Sequence, residues 1–289
     1  MALGFSVSVG DICPDSAGVL LVGKIGANEI STRAPRWLDH LRKVKQRGGR
    51  ILLDYTDHHL ETNSVMSPFY EQAILEVSAI ITPTASLASD LTRDHDLIET
   101  NTVSDLLEYS PVRPNRKTLS GGPTAIWFGH PSNAAFLAQF IDANAARMAS
   151  HRLIIVSSEP AIDILKRHQY RSRPSTELAF IPWNPANLIS ASRQADYCLI
   201  PSDKNSPKRY ASNNRLVTAL ALGLPTIATP IPSYQEFSEY FAEEGTQQAD
   251  EIMANPNVAH NKIVAFQDTE VSRFQLPSIM AAWQKLLLA

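Results

Sequence analysis

Short, continuous apolar runs separated by helix-like stretches are the feature that most limits what this chain can fold into. In the first part of the sequence the runs are Gly18–Gly23, Arg50–Asp54 and Ala79–Thr82, and Trp37–Arg47 lies between two of them with helical spacing. Runs of this kind are typical of strands buried on both faces, and alternation with helices places such strands in a parallel sheet. The first part is therefore predicted to be an α/β unit.

The same alternation starts again after Arg113–Pro123, a segment rich in Pro, Gly and basic residues that predicts a linker. Near the end of the chain, Ser278–Leu288 is apolar and helix-forming. We therefore predict an α/β fold of two facing Rossmann-like domains, each a parallel sheet flanked by helices, over residues 1–115 and 116–270, with a C-terminal helix in 271–289. The strands predicted in the second domain are Ala125–Phe128, Leu153–Val156, Leu178–Ile181, Tyr197–Ile200 and Pro225–Ala228.

Composition narrows the class of protein. Of the 289 residues 44% are hydrophobic and 19% are charged, as in soluble globular proteins, and the net charge of −3 gives no reason to expect a nucleic-acid partner. The two cysteines, Cys13 and Cys198, lie far apart, which predicts neither a disulfide framework nor structural zinc and fits the cytoplasm. No secretory signal or membrane-spanning run is predicted. A peripheral position at the inner face of the membrane stays open.

The segment Tyr197–Glu236 has the strongest functional pattern. A buried strand ends at Ile200, a polar loop with Lys208 follows, and Ser212-Asn213-Asn214 precedes an apolar helix that begins with Arg215 in its first turn. Loops at the carboxyl ends of parallel strands form the ligand crevice of an open sheet, and a helix N-terminus carries partial positive charge. The pattern predicts a pyrophosphate site. The alternative is an ordinary helix cap beside solvated lysines.

A set of short motifs supports that prediction through a family resemblance. They are Trp183, Ala195-Asp196, Pro201-Ser202, Lys208, Asn214-Arg215-Leu216 and Ala219–Ala228, with Trp127-Phe128-Gly129-His130 and Asn133 upstream. Over about Thr124–Tyr240 this combination resembles the donor-binding region of GT-B glycosyltransferases of the glycogen-synthase-like group. The resemblance implies a cleft between two Rossmann-like domains and a nucleotide-diphosphate sugar as donor, with no cofactor. The sequence has no DxD-like carboxylate pair clearly placed on a strand end in a metal-binding loop, so no obligatory metal is expected.

Two positions depart from the family pattern. Retaining members of the group have two glutamates eight residues apart, and alignment on Gly223 and Pro225 places Tyr210 and Thr218 at those positions. The first domain is also shorter than the acceptor domains of the family. These departures bear on activity more than on the fold.

Further residues are predicted at the donor site. Gly129 would let a diphosphate approach the backbone, and Asn133 would donate a hydrogen bond, unless the two form an ordinary strand–helix turn. Trp183 is expected to line the nucleobase pocket, or else to be a core residue. Ser157 follows a strand and would reach the base or ribose, or be a polar turn. Glu236 would hold sugar hydroxyls, or be an acidic residue in a first helical turn.

Asp57 and His58 follow the predicted strand Arg50–Asp54. Either side chain would suit a general base that accepts the proton of an acceptor hydroxyl. The alternative is a polar surface turn in which Asp57 caps the next segment.

Together these patterns predict a glycosyltransferase of polysaccharide biosynthesis that moves a sugar from a nucleotide-diphosphate donor to a glycan or lipid-linked acceptor. A non-catalytic GT-B-like protein that acts as a binding or assembly partner is the main alternative, so an oligomer or a protein partner stays open. Transfer of a polyol phosphate or epimerisation of a sugar on the same fold is a second alternative.

Overall fold

The computed structural model describes residues 6–14, 16–60, 62–94, 98–114, 122–172, 176–205, 210 and 212–288. Contacts divide the chain into two units. The first unit comprises Met1–Leu106, Tyr210–Ser212 and Leu276–Ala289, and the second comprises Leu107–Arg209 and Asn213–Gln275. This division lies near the predicted bounds at 115 and 270 but does not coincide with them, because the segment from Leu107 packs with the second unit.

All strands pair in parallel. The strands are β1 Val19–Val22, β2 Arg50–Asp54, β3 Ala79–Thr82, β4 Glu99–Thr102, β5 Thr124–Phe128, β6 Arg152–Ser157, β7 Glu177–Pro182, β8 Tyr197–Ile200, β9 Thr226–Ala228 and β10 Ala242–Glu243. The helices are α1 Ile30–Gln46, α2 Ser67–Ala73, α3 Ala85–Asp94, α4 Ala134–Ala143, α5 Ala145–Met148, α6 Glu159–Ser172, α7 Pro185–Gln194, α8 Asn214–Ala221, α9 Gln247–Ala254, α10 His260–Thr269 and α11 Leu276–Leu288. Among the helices described, none is long and apolar enough to cross a membrane.

The first unit has a four-stranded sheet in the order β1-β2-β3-β4. Right-handed crossovers that always step in the same direction place the connecting helices on one face. Ile51, Leu53 and Ile80 accordingly pack on α1, α2 and α3. The intervening residues Leu52 and Ile81 point to the opposite face, where α11 covers them. The C-terminal helix thus completes the core of the first unit.

The second unit has six strands in the order β10-β9-β8-β5-β6-β7. Numbered from its own first strand, this is the doubly wound order in which the direction of winding reverses between β5 and β8. Alternate strand residues point to opposite faces. Ile126 and Cys198 pack with α7, α8 and α10, whereas Trp127 and Leu199 pack with α4, α6 and α9. Both faces are therefore covered by helices of the same unit.

The helical segment that follows β5 is interrupted. It begins as a 3-10 turn at Pro131–Asn133, and Asn144 separates α4 from α5 with φ −113° and ψ 19°. The Asn144 side-chain amide donates to the carbonyl of Phe140 at 3.0 Å, so it competes with the helical bonding pattern. Most of the predicted linker Arg113–Pro123 lies outside the described residues.

Candidate functional site

The reversal between β5 and β8 marks the point of the second unit where a doubly wound sheet binds its ligand. Chains that leave neighbouring strands there turn to opposite faces of the sheet and open a crevice at the carboxyl ends of the strands. Gly129 follows β5 at this edge, and α8, which follows β8, begins at Asn214. The predicted glycine loop and the predicted helix start therefore meet at one point.

Arg215 is in the first turn of α8 and its guanidinium lies against Gly129. A Cβ atom placed on Gly129 would be 3.4 Å from Arg215 Nη1 and 3.1 Å from the Trp127 ring. Nη1 is buried and has no hydrogen-bond partner within the part of the chain that the structure describes. A buried charge is costly unless it is paired. The geometry therefore provides a strong donor for which these residues supply no acceptor.

Two buried groups close to Arg215 are uncharged. Burial raises the pKa of the Tyr234 hydroxyl, and the positive charge of Arg215 offsets part of that rise. Burial likewise raises the pKa of the Cys198 thiol, again opposed by the charge of Arg215. Since the guanidinium acts on two buried neutral groups and forms no ion pair with a described carboxylate, its field is available to an incoming anion.

Ser157 ties the neighbouring loops together. Its hydroxyl donates to the Gly129 carbonyl, and its own carbonyl accepts the backbone N–H of Trp183 at 2.8 Å. Ser157 is fully buried, so it fixes the backbone rather than offering a hydroxyl at the surface. Trp183 is 51% exposed just after β7, and therefore lies at the surface and not in the core. Asn133 is buried, and its backbone N–H donates to His130 at 2.9 Å.

The start of α8 differs from an ordinary capped helix. Asn213 occupies the N-cap position but its side chain makes no capping bond, and instead Nδ2 donates to Glu236 Oε1 at 3.0 Å. The Asn214 side chain accepts from the Thr218 hydroxyl at 3.2 Å. Ser212 belongs to the first unit, where its hydroxyl donates to Asp105. Lys208, also predicted to bind phosphate, lies outside the described residues.

Glu236 lies in a 3-10 turn after β9 and uses both carboxylate oxygens within the protein. Besides accepting from Asn213, it forms an ion pair with Arg273, with Nη2 and Oε2 3.0 Å apart. No sequence pattern singles out Arg273, which is 37 residues away. Such a partner is found by tertiary contact alone.

The two positions that depart from the family pattern are occupied by packed side chains. Tyr210 is buried in the first unit with its ring edge on His58, the ring centroids being 4.8 Å apart. Thr218 is buried in α8. Neither position has a carboxylate that would accept hydroxyls of a donor.

The two catalytic candidates of the first unit differ in accessibility. His58 is buried, with Nδ1 3.2 Å from the Tyr55 hydroxyl, so the structure places it in the core and not at a surface where a substrate would meet it. Asp57 is partly exposed at the carboxyl end of β2 and forms an ion pair with Lys24. Asp54 and Asp105 lie at the same edge, and burial followed by the charge of Asp105 raises the pKa of Asp54.

No family model and no curated protein sequence matches this chain. Solved structures do match. TarM aligns with a TM-score of 0.70 at 9% identity, over 96% of this chain and 56% of TarM, so the chain spans little more than half of that protein. Anabaena HepE in complex with UDP and glucose aligns with a TM-score of 0.66 at 12% identity, over 93% of this chain and 77% of HepE. The lipopolysaccharide outer core galactosyltransferase WaaB aligns with a TM-score of 0.56 at 10% identity, over 93% and 74%.

The chain has the GT-B glycosyltransferase fold. The predicted class of two parallel α/β sheets flanked by helices is confirmed. Identities this low establish the fold of a chain and not its activity. Within the GT-B fold, the reversal point of the second unit is the place where Gly129 and Arg215 meet.

Proposed function

We propose that this GT-B protein binds a nucleoside-diphosphate sugar in its second unit and transfers the sugar to a hydroxyl of a glycan or lipid-linked acceptor. The observation that carries the proposal is the Arg215 guanidinium, whose buried Nη1 lies against Gly129 at the reversal point without an acceptor among the described residues. A phosphate oxygen is the acceptor that matches a guanidinium best in charge and geometry.

Two further features support a diphosphate in particular. Gly129 leaves the backbone without a side chain beside the guanidinium, so that an extended anion can lie close to the chain. The first turn of α8 lacks a side-chain cap from Asn213, and its N–H groups carry the partial positive charge of the helix.

Trp183 supports a nucleotide rather than free phosphate. Its exposed indole at the end of β7 offers a flat apolar surface on the same edge of the sheet, and nucleobases stack on such surfaces. HepE, which has the same fold, is in complex with UDP and glucose. These points favour a donor whose base lies near Trp183 and whose diphosphate lies at Arg215.

In the reaction, the bond between the anomeric carbon and the diphosphate oxygen breaks while the acceptor oxygen bonds to that carbon. The nucleoside diphosphate leaves with the electron pair, and Arg215 stabilises the charge that develops on it. The acceptor hydroxyl loses its proton. The departing diphosphate takes up that proton. Of the two catalytic candidates within the first unit, Asp57 is accessible and His58 is not. The acceptor class rests on the family resemblance alone.

Calorimetry with UDP, ADP and GDP tests the donor site. Arg215→Met is expected to lower the affinity for the preferred nucleotide by about thirtyfold or more, because a hydrogen-bonded charge pair is lost. Arg152→Met is the matched control, since Arg152 is an exposed arginine at the amino end of β6, the opposite edge of the same sheet. Equal affinity in the wild type and Arg215→Met would overturn the phosphate assignment.

A non-catalytic binding role is the second candidate, and Tyr210 and Thr218 favour it. Both side chains are buried, and neither replaces the missing carboxylates. Slow hydrolysis of the nucleotide sugar without acceptor separates the two functions. A protein that binds the donor but neither hydrolyses it nor transfers the sugar to any acceptor of a glycan and lipid-linked panel would support the binding role.

A further inference from the structure

Three side chains from separate parts of the second unit form a hydrogen-bonded chain that ends at the start of α8. Arg273 donates to Glu236 Oε2 at 3.0 Å, and Glu236 Oε1 accepts from Asn213 Nδ2 at 3.0 Å. We call this set the Asn213–Glu236–Arg273 relay. It joins the segment before α11, the 3-10 turn after β9, and the N-cap of α8.

Asn213 is held in an unusual state by this relay. Asparagine at an N-cap normally accepts a hydrogen bond from a backbone N–H of the first helical turn. Here the amide points to Glu236, the side chain makes no capping bond, and the residue is 1% exposed. Its Oδ1 is buried with no hydrogen-bond partner among the described residues. The Asn213 side chain therefore provides no acceptor for the backbone N–H groups at the start of α8.

The position of Arg215 depends on the same N-terminal turn of α8. Arg215 follows Asn213 by two residues, and its guanidinium must pass close to Gly129 to reach the reversal point. A shift of the first turn by a few tenths of an ångström changes that approach. Glu236 thus holds the Asn213 side chain away from the backbone N–H groups of the first turn, two residues before Arg215.

We propose that Glu236 is a positioning residue that acts through Asn213, keeping the Asn213 amide off the first turn of α8 and Arg215 aimed at the anion, with Arg273 fixing its carboxylate. This inference rests on the proposed function and replaces the sequence-based expectation that Glu236 holds the hydroxyls of the donor sugar. The two roles differ in which part of the ligand they affect.

Calorimetry with UDP and UDP-glucose separates them. Glu236→Met removes both hydrogen bonds that the carboxylate accepts. It is expected to lower the affinity for UDP and the affinity for UDP-glucose by the same factor, about tenfold. Glu236→Gln retains an acceptor for Asn213 and is expected to restore most of the affinity. A loss confined to UDP-glucose would show direct contact with the sugar and would overturn the positioning role.

Glu270→Met is the matched control. Glu270 is the second carboxylate bound by Arg273, with Nη1 and Oε2 2.8 Å apart, but among the described residues it makes no hydrogen bond to Asn213. The variant is expected to leave UDP affinity unchanged. If it lowers the affinity for UDP as much as Glu236→Met does, the effect comes from general loosening of the structure around Arg273, and the proposal fails.

A double-mutant cycle with Asn213→Ala tests the relay without ligand. Urea unfolding of the two single variants and of Asn213→Ala/Glu236→Met is expected to show strong non-additivity, whereas additive losses would exclude the contact. Wild-type protein that binds no nucleotide would overturn the proposed function together with this inference. Wild-type binding that Glu236→Met leaves intact would overturn this inference alone.

Discussion

The two units contain sheets of the same kind but differ in how the strands are ordered, and this difference decides where a ligand can bind. In the first unit the order β1-β2-β3-β4 never reverses among the described strands, so this sheet has no reversal point. In the second unit the order reverses between β5 and β8, and Gly129 and Arg215 meet at that reversal point.

The charged groups at the carboxyl ends of the strands also differ between the two units. In the first unit Lys24 is paired with Asp57, and Asp105 accepts a hydrogen bond from Ser212, so each of these charged groups has a partner within the unit. In the second unit the guanidinium of Arg215 has Nη1 left without an acceptor in the described part of the chain. The order of the strands, rather than the number of polar residues, therefore indicates where a ligand crevice is expected.

The largest expected effect concerns the helix that the first unit needs for its second face. Leu286 of α11 is buried against the strand residues on that face. Leu286→Ala is expected to lower the free energy of unfolding by about 2–4 kcal/mol, since it leaves a cavity in a small core. Urea unfolding measures the loss. Leu288→Ala on the same helix, at an exposed position, is the control and should change little.

A smaller effect tests the contrast between the two glycines that follow the first strand of each sheet. A Cβ on Gly129 meets Trp127 and Arg215, whereas a Cβ on Gly23 meets nothing within 4 Å. Gly129→Ala is therefore expected to weaken nucleotide binding about tenfold by displacing the guanidinium, and Gly23→Ala to leave it unchanged. Calorimetry with the preferred nucleotide decides, and equal effects would remove the distinction between the units.

Acidification is expected to weaken both units, because each contains a buried histidine. Burial lowers the pKa of His59 in the first unit and of His151 in the second below the ordinary value of 6.5. The unfolded chain then binds more protons than the folded chain as the pH falls below about 6.5. The stability that is present above that pH is therefore lost on acidification. The loss is at most about 1.4 kcal/mol per pH unit for each proton.

The two histidines can be separated by substitution. His59 stacks on Tyr70, so His59→Phe is expected to preserve the stacking and to reduce the slope of stability against pH. His151 Nδ1 lies 2.8 Å from the Tyr197 hydroxyl, so His151→Phe should also cost stability at neutral pH. Urea unfolding at pH 5, 6 and 7 measures both. An unchanged slope in His59→Phe would show that this histidine is not the group that titrates.

The smallest effect is expected at the paired charges of the first unit. Lys24→Met should lower the free energy of unfolding by less than about 1 kcal/mol, because the pair with Asp57 is exposed and solvent screens it. A double-mutant cycle with Asp57→Asn in urea isolates the pair. A larger coupling energy would mean that solvent does not screen this pair as it screens an ordinary surface pair.

The sequence predicted those parts of the fold that depend on local pattern. The bounds of β2, β3 and β8 agree with the predicted runs, because each is a continuous apolar stretch that both faces bury. The strand Glu99–Thr102 was not predicted, since its residues are polar and it lies at an edge of the sheet. Its place depends on pairing with β3, which no local pattern records.

The candidate site divides in the same way. The sequence by itself determined that a glycine loop follows β5 and that a polar helix start with Arg215 follows β8, because these depend on chain order and residue type. Whether a side chain is accessible was decided by packing between distant segments. In the folded chain His58 and Ser157 are buried, Trp183 is exposed, and Glu236 is bound to Arg273. Packing also set the order of the strands, and with it the reversal that gives the second unit its crevice.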